Sequence, residues 1–288
     1  MDRKDILITG KSGFIAKALG QELEKKHNVL YTSSSQSEGA TLLKLQDIEH
    51  FDYSKIETVS TVYMLAGISS PDDCANNVEF CKKINVTATS KFIAECLRRK
   101  MKVIFASSDV IYGQQLNSVS EKNSGDPIGF YGSYKKEIEE KFKTDDNFKS
   151  TRFSYVYSES DKFTKYLKNC CDNGLQAEVF HPLERSVICL NDVIDALSLL
   201  PSRWKDLNTP FINFCGNELI SRVNIAEILK EYCMPNLDYK VLTPPSSFYL
   251  ARPKTIHMRS LFLENLLTRK PLSLKQMIIE TEEKQRII

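Results

Sequence analysis

The 288-residue chain is long enough to bury a full core, as one large domain or as one domain with a lobe. Hydrophobic residues make up 42% and charged residues 26%, the balance of a soluble globular protein. With 39 basic against 37 acidic residues the net charge is +2, so neither nucleic acid nor an anionic membrane is called for as the main partner, and no apolar run reaches membrane-spanning length.

The N-terminus runs Met1-Asp2-Arg3-Lys4 straight into the strand-like Ile6-Leu7-Ile8, without the apolar core of a signal peptide, and a cytoplasmic location is expected. A strand over Ile6–Thr9 is expected to lead through Gly10-Lys11-Ser12-Gly13-Phe14-Ile15-Ala16 into a helix over Ile15–Lys26, where Ile15, Ala18, Leu19 and Leu23 recur at helical spacing. Glycine at 10 allows a tight turn, glycine at 13 lets the backbone approach a pyrophosphate, and the small Ala16 lets helix pack on strand. The helix N-terminus then offers free N–H groups and a partial positive charge to phosphates. Gly10, Lys11, Ser12, Gly13, Phe14 and Ile15 are therefore candidate dinucleotide ligands.

The second strand, Val29–Tyr31, runs on into Thr32-Ser33-Ser34, and the polar stretch Thr32–Gly39 reads as a surface loop. An acidic residue at the end of this strand would take a ribose 2′-hydroxyl; here hydroxyls, Ser33 among them, stand with Lys11 nearby, which favours NADP(H) while admitting NAD(H). Asp47, followed by Ile48, is a candidate for the adenine edge.

Further strands are expected at Val59–Leu65, Val103–Ser107, Ser154–Tyr157 and Glu178–Phe180, with helices at Val78–Arg99, Ser133–Thr144 and Lys162–Asn173. Such alternation predicts an α/β fold, a Rossmann-type doubly wound parallel sheet with helices on both faces. Beyond about residue 180, prolines from Pro182 to Pro271 break the chain into short elements, which suits a smaller C-terminal substrate-binding lobe. The expected division is 1–160 for the nucleotide domain, with later segments returning to it, and 161–288 mainly for the lobe. The eight cysteines form no C-x-x-C and the four histidines lie far apart, so the cysteines read as small buried apolar residues and no metal site is expected.

In Tyr131-Gly132-Ser133-Tyr134-Lys135 the tyrosine and lysine are four apart, on one face of a helix. A neighbouring ammonium favours a phenolate, and a phenol with an ordinary pKa of about 10 needs such help as an acid-base catalyst. Upstream, Val103 to Ser107 is a buried strand that runs into Ser108-Asp109-Val110-Ile111-Tyr112-Gly113 at the carboxyl edge where open sheets bind ligands.

With these residues the sequence resembles the extended short-chain dehydrogenase/reductase superfamily, the NAD-dependent epimerase/dehydratase family. The resemblance assigns Ser108 as the catalytic hydroxyl and Tyr131 and Lys135 as the acid-base pair, the last two also meeting the cofactor. It extends through Leu65-Ala66-Gly67, also cofactor ligands, and Asn85-Val86, then Arg185 with Asn191-Asp192-Val193, Asn213-Phe214-Cys215-Gly216 and Arg252-Pro253. Dehydratases carry Thr-Asp-Glu where this chain has Ser108-Asp109-Val110, which leaves no acid there to expel a 6-hydroxyl.

The segment Arg152-Phe153-Ser154-Tyr155-Val156-Tyr157, the Gly10-Lys11-Ser12-Gly13 loop and the Ser108-Asp109 pair are similar to dTDP-4-dehydrorhamnose reductases, although Tyr134 stands where that group has serine and Phe14 is more typical of epimerases. The resemblance implies reduction of the C4 keto group of a nucleotide-linked deoxysugar, in nucleotide-sugar or surface-polysaccharide biosynthesis. Ser69, Ser108, Asp109, Tyr155, Arg185 and Arg252 are the candidate substrate ligands, the two arginines for the diphosphate. A nucleotide-sugar 4-epimerase with bound NAD and a catalytically silent cofactor-binding regulatory protein are the alternatives, and a homodimer is compatible with either.

Overall fold

A computed structural model describes residues 5–115 and 117–287; the expectation for Met1 to Lys4 lies outside them. In chain order, strand β1 (Asp5–Thr9) is followed by helix α1 (Phe14–Leu23), β2 (Asn28–Ser33), the short β3 (Thr41–Leu42) and β4 (Val59–Met64). Next come α2 (Pro71–Asn76), α3 (Val78–Lys82), α4 (Thr89–Arg98), β5 (Lys102–Ser108), α5 (Phe130–Phe142) and β6 (Phe148–Phe153). Helices α6 (Lys162–Asp172), α7 (Leu190–Leu199) and α8 (Arg222–Tyr232) follow among shorter strands.

Strands β1 to β6 and the later strand Phe211–Phe214 form a seven-stranded sheet in the order Phe211–Phe214, β6, β5, β4, β1, β2, β3, every neighbouring pair parallel. Strand alternation sorts the core onto its two faces. Ile6 and Ile8 pack with α1 and α7, whereas Leu7, Val62 and Met64 pack with Phe92 and Ile93 of α4 and Ile138 of α5. A third apolar cluster joins α6 and α8 to Ala177 and Val179, outside the sheet. Residues 190–214 thus return to the sheet domain after the chain has left it at α6.

Three elements differ from the sequence reading. Ser154–Tyr157 is not the sixth strand of the sheet; Phe148–Phe153 is, with Lys149 and Arg152 buried in it. Its charges are satisfied, since Lys149 Nζ donates to the Leu207 and Thr209 carbonyls at 2.6 and 2.7 Å, and Arg152 pairs with Glu139 at 2.7 Å. The edge strand Phe211–Phe214 was not expected. The helix expected over Val78–Arg99 is interrupted by a π-turn at Lys83–Ala88. That turn brings buried Asn85 to the loop after β4, where its amide accepts from Ile68 N at 2.9 Å and donates to Ile68 O at 2.8 Å.

Among the described residues there is no disulfide, six of the eight cysteines are buried, and no helix is long and apolar enough to cross a membrane.

Candidate active site

A cavity of about 520 Å³ opens at the carboxyl ends of β1, β2 and β4. Gly10 begins its floor with φ +78°, a left-handed conformation that suits glycine. Its N–H and that of Lys11 both donate to Thr32 O, at 3.0 and 2.9 Å, which ties the loop to β2. A Cβ on Gly13 would sit 3.1 Å from the Gly10 carbonyl, a tighter contact than most Cβ atoms make. No side chain caps α1, and its first-turn N–H groups, on residues lining the cavity, keep their donors for an anion. On the far side, Thr9 Oγ1 accepts from both Leu65 N and Ala66 N at 2.9 Å and fixes the loop after β4.

Gly10, Ser12, Gly13, Phe14, Ile15, Ser33, Leu65, Ala66 and Gly67 all line this cavity, and so does Ser69, which was expected at the substrate. Lys11, Asp47 and Ile48 do not. Lys11 Nζ donates to Glu38 O at 2.6 Å and lies over the Tyr31 ring. Asp47 pairs with His50 Nδ1 at 2.5 Å, and Ile48 turns into the core, so Leu43, Leu45 and Gln46 supply that wall instead.

Ala106 of β5 lines this cavity, and Ser108, at the end of the same strand, lines a second one. Helix α5 carries Tyr131 and Lys135 toward this end of β5. Lys135 Nζ donates to Ala106 O at 2.6 Å, with the Phe105 ring centroid 4.6 Å away and the Tyr131 centroid at 5.7 Å. The Ser108 hydroxyl lies close enough to Tyr131 to act on its phenol. The structure therefore brings Ser108, Tyr131 and Lys135 together.

Burial pushes the Lys135 ammonium down to about 8, against the attraction of Glu139 and Cys74. Burial also raises the Tyr131 phenol, as do Asp109 and Cys74, while the Ser108 hydrogen bond opposes the rise. The sequence reading has Lys135 lowering the phenol; the phenol is instead raised, chiefly by burial.

The second cavity, about 260 Å³, lies between the ends of β5 and β6 and residues of the 183–252 segment. Ser108, Asp109, Tyr155, Arg185 and Arg252, the residues proposed from sequence for the substrate, line it together with Arg222 and Phe248, which the sequence reading did not name. Asp109 is buried; it accepts from Ser108 Oγ at 3.3 Å and Ser154 Oγ at 3.1 Å, and Arg185 Nε lies 3.4 Å away. Burial raises its carboxyl, and the Arg185 charge and the two serine hydrogen bonds hold it back. Tyr155 donates to Asp161 at 2.5 Å, and Arg252 pairs with Asp72 and stacks over Phe248. Arg222 is placed by backbone geometry: Leu219–Ser221 pairs antiparallel with Glu184–Ser186, and the Arg222 N–H donates to Leu183 O at 3.2 Å.

Residues 3–186 match the family model described as the RmlD substrate binding domain. The chain belongs to that family. Its fold is shared with MoeE5 in complex with UDP-glucose and NAD (TM-score 0.79, 20% identity, covering 98% of this chain and 99% of that one). It is likewise shared with a hypothetical dTDP-4-dehydrorhamnose reductase from Sulfolobus tokodaii (TM-score 0.82, 22% identity, 95% and 98%). An uncharacterized UDP-glucose epimerase, YtcB of Bacillus subtilis (strain 168), is 28% identical over 148 residues, 44% of this chain and 47% of its own length. This RmlD-family chain thus spans about half the length of that curated relative.

Proposed function

We propose that this RmlD-family chain is an NAD(P)H-dependent oxidoreductase that reduces the C4 keto group of a nucleotide-linked deoxysugar. What supports the reading is that Ser108 lines the arginine-lined cavity and Ala106 the other one, with Tyr131 set against Ser108 and Lys135 against Ala106. The first cavity fits a dinucleotide because the turn at Gly10 and the uncapped α1 present backbone donors where a pyrophosphate would lie. When bound, the reduced nicotinamide supplies the hydride. Tyr131 then gives its proton to the sugar oxygen; its raised phenol pKa keeps that proton in place at neutral pH, which suits a donor in the reductive direction. Ser108 hydrogen-bonds the same oxygen, and Lys135 reaches the cofactor side through its place at Ala106. Val110 follows Asp109, so no second carboxyl stands there for dehydration.

For the cofactor, no carboxylate lines the end of β2, where Thr32, Ser33 and Ser34 face the cavity, and this supports a preference for NADPH over NADH. The test of function is a panel of nucleotide-linked 4-keto sugars assayed for oxidation of NADPH and NADH. Net consumption with at least one sugar supports the reading. Tightly retained NAD⁺ and interconversion of C4 epimers without net oxidation would replace it with the epimerase, the activity in the name of the Bacillus relative.

A further inference from the structure

Glu139 lies one helical turn beyond Lys135 on α5, so the two side chains share a face, and both end against the same pair of strands. Lys135 Nζ is held at Ala106 O of β5. The Glu139 carboxylate is held on β6, where it accepts from Ser150 Oγ at 2.7 Å, from Arg152 Nη2 at 2.7 Å and from Arg152 Nε at 3.1 Å. Strands β5 and β6 pair with Phe105 opposite Ser150, Ala106 opposite Thr151 and Ser107 opposite Arg152. The carboxylate is thus anchored on the two residues that flank the position opposite Ala106, one strand spacing of about 4.8 Å away. It is 1% exposed, so its charge acts through protein rather than through solvent.

Arg152 faces the other way. Its Nη1 donates to the Tyr112 hydroxyl at 2.7 Å, which donates in turn to Asn213 Oδ1 at 2.9 Å, and its guanidinium lies 4.1 Å from the Phe211 ring centroid. The positive charge therefore leans toward the strand Phe211–Phe214 on one side of β6, and β5 with Lys135 lies on the other. Of the other groups near Lys135, Cys74 is a thiol pushed up to about 12 by burial, and Tyr131 is a phenol raised by the same cause. Both are neutral at neutral pH. Asp109 is spent on Arg185, Ser108 and Ser154. Burial strips the Lys135 ammonium of its solvation, and the charge that opposes this loss is that of Glu139.

We propose that Glu139 is a positioning residue that acts through Lys135: its carboxylate, fixed on Ser150 and Arg152, keeps that side chain an ammonium at neutral pH. Its part in catalysis rests on the reading above, in which Lys135 serves Tyr131 and the cofactor; its effect on Lys135 does not. Without the carboxylate the lysine gives up its proton at a lower pH, and turnover is lost sooner as the pH rises.

The test is an NMR titration of the protein with carbon-13-labelled lysine side chains, the Lys135 resonance assigned by its loss in Lys135→Met. Wild type is compared with Glu139→Gln and with Glu139→Gln/Arg152→Met, which removes both buried charges and keeps a folded protein should the single variant unfold. The Lys135 midpoint, about 8 in the wild type, should fall by at least about half a pH unit in both variants, and further in the single one, where Arg152 stands uncompensated. With a 4-keto sugar that the protein consumes, the alkaline limb of kcat/KM should move down with it, and Glu139→Asp, which keeps the charge, should restore it in part. A Lys135 midpoint unchanged in both variants overturns the proposal, as does a lowered midpoint with an unmoved alkaline limb. A protein that consumes no 4-keto sugar overturns the reductase reading, and the titration then decides the role of Glu139 by itself.

Discussion

Replacing Lys135 with methionine should stabilise the fold while it destroys the site. Burial pushes the ammonium from its ordinary 10.5 to about 8, which corresponds to ~3.4 kcal/mol. Part of the side chain still meets solvent, and the variant leaves the Ala106 carbonyl without its donor, a cost of about 1–2 kcal/mol. A net gain of ~1–2 kcal/mol at pH 7 remains, which for a chain of this size is a rise of roughly 2–3 °C in Tm.

The pH dependence fixes the sign. Below pH 8 folded and unfolded lysine are both protonated, and the penalty for burying the charge is complete. Between pH 8 and 10.5 the unfolded state binds more protons, so wild-type stability rises with pH while that of the variant does not. The stability gap of ~1–2 kcal/mol at pH 7 should largely close by pH 9.5. Urea titrations of both proteins across that range measure it. A variant less stable than wild type at pH 7, or a gap that stays constant with pH, would refute the argument that Lys135 is a desolvated ammonium.

Three other outcomes are expected. Tyr131→Phe should lower kcat by more than tenfold, over ~1.4 kcal/mol, with NADPH affinity near normal; a variant that keeps a tenth or more of the wild-type rate removes the proton-donor role. Glu139→Gln should cost about 3 kcal/mol in chemical denaturation, because Glu139 is 1% and Arg152 5% exposed and the change leaves the guanidinium without its counter-charge; a loss under about 1 kcal/mol would show the pair to be solvent-screened. Lys11→Ala should leave the ratio of NADPH to NADH affinity within about twofold of wild type, since Lys11 spends its ammonium on Glu38 O; a collapse of the ratio would show that Lys11 swings to a 2′-phosphate instead.

What was legible in the sequence was local. The strand, glycine turn and helix at residues 6–23 declare themselves by spacing, and the four-residue interval between Tyr131 and Lys135 fixes a shared helix face wherever the helix lies. Strand β6 stayed hidden because Phe148-Lys149-Ser150-Thr151-Arg152-Phe153 carries two buried charges whose partners, Glu139 and the 207–209 carbonyls, are visible only once the chain has folded. Arg222 was missed for the same reason: antiparallel pairing of residues 219–221 with 184–186 brings it beside Arg185. One sequence signal was available, an arginine directly after the Ser221 cap, where helices favour acids. Asp47 read as a cofactor ligand from its place after a strand-like run, yet the turn at 45–50 gives it to His50.

The central claim is tested most directly by the fate of the transferred hydrogen. NADPH deuterated at C4 of the nicotinamide, incubated with the protein and the nucleotide-linked 4-keto sugar that it consumes, should yield a product with one deuteron at sugar C4, seen by NMR, and Tyr131→Phe should yield none. Deuterium elsewhere in the sugar, or retained on the cofactor while the C4 epimers interconvert, would contradict the account.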